Sequence, residues 1–320
     1  MTGDFSAEDP TRRVAFLGSG AMGCFLGAAF AGAGHSVTLV DCWPAHVAAL
    51  TERGLTLETD AGTAAISGLS ATREPSGVRG ARHVFVCVKS TATEQAIAAA
   101  TPWMEPDATL VTLQNGLGNV ETLCRYWPSE SIVAGVTASG ATLLAPAHVR
   151  IASIGETVIG GLGGNISPRA ETLAAMLARA GLPVRVTRSI QGAIWTKLLA
   201  NVGINALAAL TLLRNGAIFA TPEGAGLAER AIREAALVAK AEGVVLDTDD
   251  PVAYGRQVAE KTARNRASML QDILAGRTTE IASINGEIVR RGQKLGIPVP
   301  VNETLYALVV LRQQSEHSAV

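Results

Sequence analysis

Aromatic side chains make up 4% of the 320 residues and charged ones 17%, against a usual charged share of about 25%. With so few rings, the core has to be built from Ala, Leu, Val and Ile. At 48% hydrophobic residues the chain buries enough apolar surface to offset its ordering entropy, which excludes intrinsic disorder. An excess of either charge is missing too: 27 Lys and Arg face 28 Asp and Glu, for a net charge of -1. Nothing there neutralises a phosphate backbone, so no nucleic acid is expected as partner. Cysteine is scarce, and Cys24, Cys42, Cys87 and Cys124 form no Cys-x-x-Cys pair. They read as reduced, structural thiols in a cytoplasmic protein. The five histidines (His35, His46, His83, His148, His317) are scattered and form no His-Glu-x-x-His, so no metal site is expected. Glycine is plentiful at 33, but without a three-residue period, which excludes collagen and indicates many tight turns.

One long uncharged run imitates a membrane segment. Val14 to Gly34 holds 21 residues without a charge, preceded by Arg12 and Arg13. A signal peptide or spanning helix is opposed by the acidic leader (Asp4, Glu8, Asp9) and by six glycines within the run. The run also divides into a strand (Val14–Leu17), a turn and a helix from Ala21. No other segment is expected to reach the ~18 apolar residues of a span, so a soluble protein and no membrane partner are expected.

Beyond a polar leader at residues 1–11, short β-branched runs alternate with Ala-rich helical stretches. Strands are expected at Val14–Leu17, Ser36–Val40, Leu55–Glu58, Ala64–Leu69, His83–Val88, Thr109–Leu113, Ile132–Ala138, Val149–Ser153, Thr157–Ile159 and Val184–Val186. His83–Val88 is nearly all apolar, as a parallel strand covered on both faces should be. From Ile190 helical periodicity prevails, with helices expected at Ala193–Leu213, Gly224–Glu242, Ala263–Leu274, Thr279–Leu295 and Glu303–Gln314, the last capped by Asn302. The fold class is therefore α/β: a Rossmann-type doubly wound parallel sheet over residues 1–188, followed by an all-α domain over 189–320.

Gly18-Ser19-Gly20-Ala21-Met22-Gly23 matches G-x-G-x-x-G between a strand and a helix, the context that the motif requires. Its glycines serve a tight turn, a close approach to a pyrophosphate and close helix–strand packing, and the helix amino terminus offers N–H groups to phosphates. Asp41 ends the second strand, eighteen residues after Gly23. A carboxylate there accepts hydrogen bonds from ribose hydroxyls and repels a 2′-phosphate, which favours NAD(H) over NADP(H). Taken structurally, the glycines are a turn and Asp41 a solvated loop acid.

In the helical half, Lys197, Asn201 and Asn205 share one face of an otherwise apolar helix. Such a stripe is either a satisfied buried network or a lysine that meets a substrate oxygen. Ser268-Met-Leu-Gln-Asp272 and Glu280 read in isolation as ordinary helix residues, Glu280 as a first-turn acid favoured by the helix dipole.

These residues, with Lys89, Leu113-Gln-Asn-Gly116 and Glu280-Ile-x-x-Ile-Asn-Gly286, occur in an order that resembles ketopantoate reductases (2-dehydropantoate 2-reductases) from Arg13 to about Arg312. The resemblance implies reduction of 2-dehydropantoate to (R)-pantoate in pantothenate biosynthesis. In this likeness Lys197 is the general acid, Glu280 the second essential residue, and Lys89 and Asn115 lie beside the cofactor. Asn115, Asn201, Asn205, Asn215 and Ser268 match substrate-binding positions, and Asn265 is a further contact on domain closure. The cleft is expected between the domains.

The family's usual cofactor is NADP(H), bound by a basic residue after the second strand, where this chain has Asp41-Cys-Trp-Pro. The departure opens a second reading: an NAD-dependent D-2-hydroxyacid dehydrogenase acting on another branched or aromatic 2-hydroxy acid. A third is a non-catalytic NAD(H)-sensing protein, which the joint presence of Lys197, Glu280 and the asparagines argues against. The expected partner is a small 2-keto or 2-hydroxy acid, and a homodimer is left open.

Overall fold

The computed structural model describes residues 13–318; the polar leader lies outside them. The chain divides into two compact units, one holding the described residues up to Gln114 together with Asn119–Ile190, the other Asn115–Gly118 and the chain from Gln191 on.

The first unit is built from β1 (Arg13–Leu17), α1 (Ala21–Gly32), β2 (Ser36–Val40), α2 (Pro44–Arg53), β3 (Leu55–Thr59), β4 (Gly62–Ile66), β5 (Leu69–Thr72), β6 (His83–Val86), α3 (Thr93–Ala100) and β7 (Thr109–Thr112). It continues through α4 (Asn119–Leu123), β8 (Ile132–Thr137), β9 (Gly140–Ala145), β10 (His148–Ser153), β11 (Thr157–Gly161), α5 (Pro168–Arg179) and β12 (Val184–Val186). Eight strands form one sheet in the order β12-β11-β8-β7-β6-β1-β2-β5. From β8 to β5 the pairs are parallel, with β1 at the point where chain order reverses, so the carboxyl ends of β1 and β2 flank the glycine turn. The sheet departs from an all-parallel expectation at β11, which pairs antiparallel with β8.

A second sheet, β4-β3-β10-β9, carries β9, for which no strand is expected from sequence. The single run expected at Ala64–Leu69 is two strands in different sheets, β4 and β5, separated by Gly68 at φ 79°. Phe16, Phe30 and Phe85 form the ring cluster of the main core, with Phe16 stacked on Phe85 at 4.7 Å. These three of the chain's six phenylalanines join β1, α1 and β6.

The second unit holds α6 (Ile190–Thr211), α7 (Asn215–Ile218), α8 (Pro222–Ala241), α9 (Pro251–Lys261), α10 (Ser268–Leu274), α11 (Asn285–Leu295) and α12 (Pro300–Ser318). Its core is alanine-rich, which lets helices approach closely: the Ile232 side chain sits where a Cβ on Gly203 or Gly255 would lie, 2.8 and 2.5 Å away. By length and hydropathy α6 qualifies as a membrane span, contrary to the expectation that no second segment would, but 78% of its apolar window is buried inside the protein. Helix α9 was not expected, although Asp250-Pro251 announces it: Asp250 Oδ1 accepts from the N–H groups of Val252 and Ala253 at 3.0 Å. Helix α10 starts at Ser268, five residues later than expected from Ala263.

Asn302 does not cap the last helix. It is fully buried within α12, where its Nδ2 donates to the Ala231 carbonyl at 3.0 Å and to Glu234 Oε2 at 2.8 Å. The cap is the Glu234 carboxylate, which accepts from the Val301 and Asn302 N–H groups at 2.9 Å each. Hydrogen bonds to a charged acceptor contribute about 1.5–3 kcal/mol, and loss of a cap costs about 1 kcal/mol. Glu234→Ala should therefore lower the stability of the helical unit by about 2 kcal/mol, measured as a lower urea midpoint with an unchanged m-value. A midpoint within error of wild type would remove this role from Glu234.

Candidate active site

The predicted residues fall into groups within each unit. In the first, the chain leaves β1 through Gly18 at φ 94°, where a Cβ would lie 2.6 Å from the Val88 nitrogen. A Cβ on Gly23 would lie 2.0 Å from the Gly18 carbonyl oxygen, so both positions exclude any side chain for reasons internal to the fold. Gly20 is different: a Cβ there meets nothing within 4 Å. That glycine keeps open a surface at the amino end of α1, whose first turn carries no acidic residue and no side-chain cap. This fits the close approach of a dinucleotide pyrophosphate to uncapped N–H groups. Ala21 and Met22 are the first two residues of α1, half-buried beside that surface.

Ser19, between the first two glycines, is fully buried and held at every polar atom. Its N–H donates to Asp41 Oδ2 at 2.8 Å and its hydroxyl to the same oxygen at 3.1 Å. Its carbonyl accepts from Cys24 Sγ at 2.9 Å and pairs with His46 Nε2 at 2.8 Å. The Ala147 N–H donates to His46 Nδ1 at 3.0 Å, which fixes the tautomer: Nδ1 accepts, so the proton sits on Nε2 and points at Ser19. Asp41 Oδ1 accepts from the Trp43 N–H at 3.0 Å. Asp41 is thus half-buried and engaged, where the sequence suggested a solvated acid or a ribose ligand; Oδ1 keeps a lone pair for a further donor. Burial, with the charges of Asp41 and Cys87, pushes the Cys24 thiol up to about 12, and burial does the same to Cys87, so both stay protonated. Lys89 leaves β6 exposed, just before a short 3₁₀ turn at Ser90–Ala92.

The second group gathers on α6. Lys197 Nζ donates to Asn115 Oδ1 at 2.9 Å. Burial lowers the ammonium to about 8, and the Glu280 carboxylate opposes that shift. Asn201 and Asn205 follow on the same face of the helix, half-buried and buried respectively. Asn115 is placed by its neighbours. Gln114 donates through Nε2 to the Val88 carbonyl at 2.7 Å and to Thr93 Oγ1 at 2.8 Å. Gly116 adopts φ 83° and packs against Ser283, whose carbonyl oxygen would lie 2.4 Å from a Cβ. The same Ser283 carbonyl accepts the Leu117 N–H at 2.8 Å. Gln114, Gly116 and Ser283 were not singled out as site residues; the glycine in Gln-Asn-Gly was the available signal.

Glu280 is buried but is not a first-turn helix acid. It precedes a 3₁₀ turn at Ile281–Ser283, and α11 starts only at Asn285. The short turn is what brings a buried carboxylate into the electrostatic range of Lys197. Asn215, Asn265 and Ser268 lie on other segments of the same unit. Asn215 is buried, donates from Nδ2 to Thr262 Oγ1 at 2.9 Å and from its backbone to the Asn265 carbonyl at 3.1 Å, and its Oδ1 accepts no hydrogen bond among the described residues. Asn265 and Ser268 are exposed, Ser268 as the first residue of α10. Among the described residues no group of three His, Cys, Asp or Glu side chains is placed to hold a metal.

Comparison with known proteins adds the following. The family model described as Ketopantoate reductase PanE/ApbA matches residues 14–164, and that of its C-terminal part matches residues 189–313. The chain is 40% identical over 302 residues to a 2-dehydropantoate 2-reductase of Halobacterium salinarum, covering 94% of this chain and 99% of that protein. A 2-dehydropantoate 2-reductase of Archaeoglobus fulgidus is 36% identical, covering 93% and 97%. Among solved structures, a PanE/ApbA family ketopantoate reductase from Ralstonia eutropha superposes with a TM-score of 0.88 at 39% identity, over 95% of this chain and 99% of that one. D-mandelate dehydrogenase in complex with NADH and anilino(oxo)acetate superposes with a TM-score of 0.90 at 26% identity, with the same coverage.

The opposing effects on Lys197 give a direct test. Glu280→Gln removes the negative charge that opposes desolvation, so the Lys197 ammonium should titrate below its present value of about 8. With five lysines in the chain, the Lys197 resonance can be assigned by its loss in Lys197→Ala and followed by ¹³Cε chemical shift against pH. An unchanged or raised titration point in Glu280→Gln would show that Glu280 does not act on Lys197.

Proposed function

The chain belongs to the ketopantoate reductase family, and on that premise we propose that it reduces 2-dehydropantoate to (R)-pantoate with NADH, Lys197 acting as general acid. The observation that carries the reading is the Lys197 ammonium, lowered to about 8 by burial and held at 2.9 Å on Asn115 Oδ1.

Reduction of a ketone builds negative charge on its oxygen. A dinucleotide whose pyrophosphate is held at the glycine turn would supply the hydride from its dihydronicotinamide. Lys197 meets the oxygen with a positive charge and a proton, and a donor whose pKa lies near the working pH transfers that proton most readily. Asn115 accepts one of the three ammonium N–H bonds and thereby sets the direction of the others. Glu280 keeps the amine protonated at a pH where burial alone would discharge it. Asn201, Asn205 and Asn215, with Asn265 and Ser268, supply amides and a hydroxyl for the polar groups of the keto acid. Asp41, with room at Oδ1 for one ribose hydroxyl, supports NAD(H) over NADP(H), and Lys89 is a cation for the cofactor side.

A second reading has its own support. Asp41 and the likeness to D-mandelate dehydrogenase with NADH favour an NAD-dependent D-2-hydroxyacid dehydrogenase working toward the keto acid.

Steady-state assays separate the two. NADH oxidation with ketopantoate is expected, with NADPH roughly tenfold or more poorer in kcat/KM, a difference of about 1.4 kcal/mol. Turnover of D-mandelate with NAD⁺ and none with ketopantoate would establish the second reading instead. Lys197→Ala should lower kcat for reduction by about 10²–10⁴ with cofactor affinity retained. Since the protonated amine is the donor, reduction should be flat below pH 8 and fall about tenfold per unit above it, while oxidation of the hydroxy acid rises through the same range. A reduction rate that climbs above pH 8 would exclude Lys197 as the acid.

A further inference from the structure

We infer that Asp41 selects the dinucleotide by occupying, within the protein, the donors that a 2′-phosphate would use: the N–H and O–H of Ser19 and the N–H of Trp43. The inference rests on the NAD(H) reading given above and extends it from charge repulsion to a masked anion site.

The carboxylate of Asp41 accepts three hydrogen bonds from these groups, two at Oδ2 and one at Oδ1. It stands at the carboxyl end of β2, where an adenosine ribose is bound in this type of fold. Two backbone N–H groups and a hydroxyl converging on one small anion are a phosphate-type donor set, and here the anion is a side chain.

The donors do not depend on Asp41 for their placement. Ser19 is anchored through its carbonyl by His46 Nε2 and Cys24 Sγ, and His46 is itself held at Nδ1 by the Ala147 N–H. Gly18 is tied to β2 by its N–H, which donates to the Val40 carbonyl at 2.8 Å. Trp43 is fixed through its own carbonyl, which accepts the His46 and Val47 N–H groups at 3.1 Å, and its ring lies parallel to His46 at 6°. Arg73 follows the end of the neighbouring strand β5, exposed, one residue after Thr72, whose carbonyl accepts the Asp41 N–H at 3.1 Å. Removing the carboxylate would therefore leave a preformed set of donors.

Masking and repulsion predict different results for two substitutions. Asp41→Asn removes the charge but keeps an oxygen that can still accept from Ser19. Asp41→Ala removes both. Binding of adenosine 2′,5′-bisphosphate and of 5′-AMP to each full-length protein, by isothermal titration calorimetry, gives a selectivity ratio independent of turnover. Under masking, Asp41→Ala shifts that ratio toward the bisphosphate about tenfold more than Asp41→Asn does. Ser19→Ala in the Asp41→Ala background then removes about tenfold of the gain. NADPH-linked turnover should follow the same order. If Asp41→Ala does not fold, Asp41→Ser, whose short side chain also releases Ser19, takes its place in the comparison.

Equal shifts in Asp41→Asn and Asp41→Ala, or a gain that Ser19→Ala leaves intact, would overturn the inference while the NAD(H) reading stands. Wild-type protein tests that reading separately: tighter binding of the bisphosphate than of 5′-AMP with Asp41 in place would remove the reading, and the inference with it.

Discussion

An ammonium on an apolar helix has to be compensated locally, and the helical unit is arranged around that demand. Helix α6 is buried along most of its length and offers Lys197 no acid of its own. Compensation comes from outside the helix: an amide oxygen from Asn115 and a carboxylate from Glu280. Each arrives on backbone that is not helix or strand. Asn115 sits on a segment whose next residue is left-handed and packed on Ser283, and Glu280 precedes the 3₁₀ turn that ends at that same Ser283. Asn115 and Glu280 are therefore both positioned by one short stretch, Glu280–Ser283. The charge stays weakly stabilised, which is the state a proton donor near neutral pH requires.

The parts of this fold that could be read from the chain are those dictated by steric or solvation rules acting locally. Strand β6 is buried at every residue and apolar after His83 because both its faces are covered, and β2 was placed to the residue. Strand β9 was not readable. Gly140–Ala145 leaves most side chains partly in water, so neither a continuous apolar run nor a clean alternation marks it. The division of the chain expected at 188 and the one found after Ile190 differ by two residues, Ser189 and Ile190, but the transfer of Asn115–Gly118 to the helical unit has no local signal. Glu280 and Asn302 were misread in opposite directions. Periodicity carries α11 back through the 3₁₀ turn that follows Glu280, whereas α12 begins at Pro300, three residues before its apparent start, because the distant Glu234 carboxylate caps it and leaves Asn302 inside the helix.

Within the candidate site, residue types were readable and their engagement was not. Gly18, Gly20 and Gly23 share one motif, yet two answer to the backbone of the protein itself and one to open space. Asp41 was visible as a carboxylate at a strand end, but its bonds to Ser19 span 22 positions. The links from Ser19 to His46 and from His46 to Ala147 span 27 and 101. No spacing rule reaches that far, and His46 was one of five scattered histidines until the fold brought it beneath the turn.

The contrast among the three glycines also bears on how variation at this turn is to be interpreted. Side chains at 18 or 23 collide with main-chain atoms, so a library selected for folded protein would be stripped of them. At 20 the same selection is blind, because an alanine meets nothing. Survivors would accumulate there that are well folded and, if the cofactor approaches at that point, catalytically silent. Abundance and activity should therefore part company at one position of the motif and coincide at its two neighbours, and the position where they part marks the surface the protein keeps clear for something other than itself.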